Sequence, residues 1–237
     1  MDADLVGSIE LTAAAAIVIA ALASGFGLNA AMRVRIAGWL SAWFVVVVIL
    51  AAARALYYER GLGAPGLGVA AVLPIAFLCV LVALGRSLRE GFQRVPLWLL
   101  VSVHTVRLLG ISFIVLHAAH RLPAPFALVA GWGDIFVGAT AVPVAWITYR
   151  RPDCARLILW IWNVIGAMDL IAALALGVLS SPGPQRLIFT EPSAAIMTTL
   201  PWLLIPGFVV PLLFAVHIGI FARLVTRKVT SPVMSDL

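Results

Sequence analysis

Seven apolar runs, at residues 9–31, 36–56, 67–84, 97–119, 125–148, 156–179 and 200–223, leave this chain few ways to fold. A helix needs about 20 residues, at about 1.5 Å each, to cross about 30 Å of hydrocarbon. The runs match that length, the third being the shortest and carrying Pro74 inside it. Barrel strands would instead alternate apolar and polar residues over about 10 positions, and the stretch 44–53 is apolar throughout. The chain therefore reads as an all-α polytopic membrane protein, a single seven-helix transmembrane domain over residues 1–237. Composition agrees, with 63% apolar and 11% charged residues against about 45–50% and about 25% in soluble domains. An ordinary soluble protein, a disordered chain and a disulfide-rich secreted module are excluded. Cys79 and Cys154 form no CxxC pair.

Charge placement gives the orientation. Alternate loops put Arg33, Arg35, Arg86, Arg89, Arg94, Arg150, Arg151, Arg156, Arg223, Arg227 and Lys228 on one side, against Arg54, Arg60, Arg121 and Arg186 on the other. By the positive-inside rule the N-terminus is outside and the C-terminus cytoplasmic, in a multi-pass protein of the inner cell membrane. The net charge of +6 is spread along these loops rather than gathered on one face, so nucleic acid is not a partner. Asp2, Asp4 and Glu10 open the chain, where a secretory signal would begin with basic residues. Trp39, Trp43, Trp98, Trp146, Trp160 and Trp202 sit near run ends, as headgroup-level anchors do. The longest connection, 180–199, reads as an interfacial segment, with a lid as the alternative.

The informative residues are those hydrocarbon rejects. A central Arg or Asp costs about 2.5–3.5 kcal/mol on insertion scales and so faces the bundle and finds a partner. The deep ionisable groups are His104 and Arg107 on the fourth run, Asp134 on the fifth, Asp169 on the sixth and His217 on the seventh, with Asn163 beside them. Counted at 1.5 Å per residue from the cytoplasmic side, Arg107 lies about 15 Å deep and both aspartates about 21 Å. Asn163 lies about 11 Å deep, and His104 and His217 come about 10 Å in, one layer nearer the cytoplasm. One arginine with two ionised aspartates leaves a charge of −1, so the layer should hold a proton, a cation, a protonated histidine or a cationic ligand. Trp132, between Gly131 and Gly133 just before Asp134, joins Arg107, Asp134, Asn163 and Asp169 in the expected ligand- or proton-binding site. Pro206 and Pro211 should bend the seventh helix and free carbonyls near its centre.

Two other readings compete. His104 and His217, at equal depth on different helices, could be the axial ligands of a b-type haem. The buried charges could also do no more than fix the bundle of a non-catalytic subunit in a larger membrane complex or homo-oligomer. Retinal chemistry is excluded because the one lysine, Lys228, lies beyond the last run. No H-E-x-x-H, P-loop or G-x-S-x-G motif is present. From Arg107 through Asp134, Trp162-Asn163 and Asp169 to the run from Leu200-Pro201 to His217, the sequence resembles uncharacterised multi-pass membrane proteins of GC-rich bacteria. That resemblance covers the C-terminal two thirds and implies no activity. The leading expectation is a transporter or ion- or proton-translocating protein, acting on a small solute, proton or cation.

Overall fold

The computed structural model describes residues 3–57, 63–84, 86–152 and 154–226. Among these there is no strand. The order is α1 (Ala3–Phe26), α2 (Ala30–Ala52), α3 (Gly63–Leu84), α4 (Arg86–Arg94), α5 (Leu97–Ser102), a 3-10 segment (Val103–Gly110) and α6 (Ile111–Ala118). There follow α7 (Ala124–Arg150), α8 (Ala155–Leu179), a short 3-10 turn (Ala194–Thr198), a π turn (Ile205–Val209) and α9 (Val210–Thr226). Among the described residues, six helices are long and apolar enough to cross a membrane: α1, α2, the continuous Leu97–Ala118, α7, α8 and Ile205–Val225. The third expected run is α3, whose apolar stretch is Gly68–Leu78 with Pro74 inside.

Local chemistry sets the breaks. The Asn29 side chain accepts the Met32 N–H at 2.8 Å, capping α2 immediately after α1 has ended at Phe26. Pro96 and Pro123 start α5 and α7, where a missing N–H costs nothing. The polar link after α3, expected as a loop, is the helix α4. Its Phe92 ring meets Phe26 edge-on at 4.5 Å and tucks that helix under the bundle.

At the centre, α7 packs on one side against α5, the 3-10 segment and α6, and on the other against α8. Lipid tails offer no hydrophobic drive between helices, so close packing of small residues must supply it. Ala127, Ala130, Gly131, Gly138, Ala141 and Ala145 give α7 such a face, all of them buried. The approach is close enough that a methyl group at Gly138 would lie 2.6 Å from the Leu108 backbone nitrogen. One at Gly110 would lie 2.5 Å from Asp134 Cβ.

The two ends differ in chemistry. At one end Asp4 accepts Arg121 Nη1 and Nη2 at 2.9 and 3.0 Å, together with Trp202 Nε1 at 2.9 Å. Trp202 is therefore a buried tie to α1, which corrects its expected role as a headgroup anchor. Trp39 and Trp146 do face outward. At the other end Arg156 donates to Leu224 O at 3.0 Å and Arg223 donates to Val95 O. The 180–199 connection divides: Leu187 and Phe189 are exposed, whereas Ser180, Ser181, Ala194, Met197 and Thr198 are buried in the bundle.

This packing has a direct test. Gly138→Ala should lower unfolding free energy in detergent by about 1–3 kcal/mol through overpacking. Gly38→Ala, which meets nothing within 4 Å, should leave it within about 0.5 kcal/mol. Equal effects at the two positions would contradict the close α7 contact.

Candidate functional site

The site is organised by the 3-10 segment. With 3.0 residues per turn, such a segment eclipses positions i, i+3 and i+6. His104, Arg107 and Gly110 therefore stand in a straight file, and all three are buried. Gly110 lets the file approach α7, which carries Asp134 on its inner face. On α8, Asn163, Gly166 and Asp169 follow at helical spacing toward the same centre, and α9 brings in His217.

Arg107 ties these helices together. Its Nε donates to Asp134 Oδ1 at 2.6 Å, and its Nη2 donates to Asp169 Oδ2. Nη1 donates to the Gly166 carbonyl at 3.0 Å and lies 3.3 Å from His217 Nε2. Gly166 matters because a Cβ there would stand 2.5 Å from the His217 ring. Gly133 matters for a similar reason, since a Cβ there would overlap the Asp169 carboxylate.

Hydrogen-bond polarity fixes the His217 tautomer. Asn163 Nδ2 donates to the His217 carbonyl at 3.0 Å, so its Oδ1 is the atom facing His217 Nδ1 at 2.7 Å. Nδ1 therefore carries the proton and donates. Nε2 presents its lone pair and accepts from Arg107. The ring is a neutral acceptor for a guanidinium, leaving one positive and two negative groups in the cluster. Trp162, its Nε1 held by Thr140 Oγ1 at 3.0 Å, closes the site over both imidazoles. Neither ring nitrogen of the fully buried His104 has a partner among the described residues.

The haem expectation meets a geometry that does not fit it. The His104 and His217 ring centroids are 4.1 Å apart with planes tilted by 40°, so no macrocycle fits between the rings. Both nitrogens of His217 are also engaged, by Asn163 and Arg107. The pair does not present two axial imidazoles to an iron. Trp132 is a second correction: it is 59% exposed and faces away from the cluster. Two residues along a helix turn about 200°, so Trp132 and the inward Asp134 cannot share a face. Arg107, Asp134, Asn163 and Asp169 do come together. The 3-10 segment, rising about 2.0 Å per residue, keeps His104 about 6 Å along the axis from Arg107, and the long arginine side chain spans the offset to reach His217 Nε2 at 3.3 Å.

Trp162, Thr140 and the Gly166 carbonyl were not expected in the site. The i, i+3, i+6 spacing of Asn163, Gly166 and Asp169 was the available signal for Gly166. A backbone acceptor and an indole leave no charge pattern in a sequence.

Space around the cluster is uneven. Two cavities of ≈30 Å³ each adjoin Asp134, room for about two water-sized molecules apiece. One is bounded by Phe126, Gly177, Met197, Pro206 and Val210, toward the end that holds Asp4 and Trp202. The other is bounded by Arg107, Gly110, Ile205, Val209 and Leu213. The Asp134 side chain keeps 12% of its surface accessible, against 1% for Arg107.

Residues 64–225 match the family described as Domain of unknown function (DUF8737). The chain belongs to that family. The matched region contains every residue of the Arg107 cluster and the stretch Arg107–His217 noted above, while α1 and α2 lie outside it. No curated protein and no solved structure matches the chain.

Removing one member of a buried ion cluster strands the others. Arg107→Ala should cost about 3–5 kcal/mol in an unfolding titration of the purified protein. Replacing Arg107, Asp134 and Asp169 together by Leu should recover most of that loss. A single variant no less stable than the triple would show that the three groups do not interact.

Proposed function

We propose that this chain is an integral transporter or ion- or proton-translocating protein, crossing the inner cell membrane seven times with its N-terminus outside. Asp134 and Asp169 hold the translocated proton or cation, and Arg107 sets their charge. The observation carrying this reading is the imbalance of the cluster: two carboxylates share one guanidinium near the middle of three long apolar helices, with small cavities beside Asp134.

The charge arithmetic supplies the driving force. A net charge of −1 in a medium of low dielectric constant is costly, so a proton or cation is drawn in to neutralise it. Exchange need not unpair the arginine. A cation arriving beside Asp134 competes with Arg107 Nε for that carboxylate. Asp169, the Gly166 carbonyl and His217 Nε2 meanwhile keep three hold points on the other guanidinium nitrogens. The neutral His217 is suited to this, because it adds an acceptor without adding charge.

α3 supports seven crossings, since it packs against α8, α9 and the π turn. The basic loops support the orientation by the positive-inside rule. As in the other expectations from sequence, a second copy or a membrane partner is compatible with this reading.

Asp134→Asn and Asp169→Asn, reconstituted in vesicles, should each abolish cation- or proton-coupled flux while inserting normally. Wild-type flux in both inserted variants would leave the cluster as a helix clamp and overturn the proposal.

A further inference from the structure

The π turn before α9 has a feature the charge cluster does not use. The Val210 N–H donates to Ile205 O, an i→i+5 bond. In an α-helix that N–H would serve Pro206 O. The next donor, which a π-helical pattern would assign to Pro206 O, belongs to residue 211, and Pro211 has no N–H. The Pro206 carbonyl is thus deprived of its α donor and its π donor by the same short sequence. Pro206 lines the ≈30 Å³ cavity that Asp134 also lines. The remaining walls of that cavity are apolar: Phe113, Phe126, Ala173, Leu174, Met197 and Val210 among them.

We infer that the space between Asp134 and the Pro206 carbonyl binds a single monovalent alkali cation, entered from the end of the bundle that carries Asp4, Arg121 and Trp202. This deepens the translocation reading and rests on it for the cation's purpose, though not for its binding. Three arguments converge. A carboxylate and a carbonyl released from helical bonding are hard oxygen donors, the kind that broken membrane helices offer to small cations. The cluster's charge of −1 is balanced by one monovalent ion, whereas a divalent ion would leave +1 buried. The volume admits an ion with about one water and excludes an organic cation. Direction follows from the lining, because Met197 belongs to the 180–199 connection and Gly177 lies just before it, at that end of the bundle.

The test is thermal unfolding of the purified full-length protein, titrated with sodium chloride against N-methylglucamine chloride at constant ionic strength. Wild type should gain thermal stability with sodium, since a ligand that binds only the folded state raises the melting temperature. Asp134→Asn should abolish the gain. Pro211→Ala restores an N–H for the freed carbonyl and should raise the sodium needed by about tenfold or more. Ala173→Val narrows the cavity without touching any charge and should act in the same direction if Pro211→Ala does not fold. No sodium-specific gain in wild type, or an unchanged sodium response in Ala173→Val and folded Pro211→Ala, overturns the site. The two proposals separate cleanly. Sodium stabilisation without flux sinks translocation and keeps the site, whereas proton flux with no sodium-specific stabilisation sinks the site and keeps translocation.

Discussion

Everything at the centre of this bundle depends on one guanidinium held out of water. Arg107 spends its N–H groups on Asp134, Asp169, the Gly166 carbonyl and His217. Those acceptors come from three helices, so the arginine sets the register of α7, α8 and α9 against its own segment. In hydrocarbon an unpaired charge of this kind is expensive, and the bundle cannot slide without unpairing it.

The surrounding backbone is shaped by that requirement. The 3-10 segment lines up His104, Arg107 and Gly110, and glycines at 110, 133, 138 and 166 remove the methyl groups that would hold the helices apart. The π turn with Pro206 and Pro211 opens the start of α9 beside the cavities next to Asp134. The closest packing and the free space therefore meet at the same carboxylate. The packing fixes Asp134, while the cavities give it access. An acid that is both held and reachable can exchange what it binds.

Much of this could be read in the residues themselves. The apolar runs gave the helices because bilayer thickness fixes their length, and the cost of burial singled out Arg107, Asp134, Asp169 and Asn163. What could not be read came from departures from α geometry and from orientation. A 3-10 stretch inside Leu97–Ala118 has no composition of its own, yet it sets His104, Arg107 and Gly110 in one file. Trp132 drew notice from its flanking glycines, although its two-residue offset from Asp134 sends it to the outer face. His104 and His217 lie at equal depth by residue counting, but their rings stack on each other and Asn163 holds His217, so they do not face each other across an iron. Trp202 shows the same limit: a tryptophan near a helix end is an anchor by position, and only the partner Asp4 reveals a buried tie.

The account stands on an exchangeable positive species balancing the surplus carboxylate. Infrared difference spectroscopy of the protein, recorded on changing pH and on replacing N-methylglucamine with sodium, observes those carboxyl groups directly. The account predicts a carboxyl band that responds to at least one of these changes and is lost in Asp134→Asn or Asp169→Asn. Carboxylate bands unmoved by either change, with both aspartates permanently ionised, would contradict it.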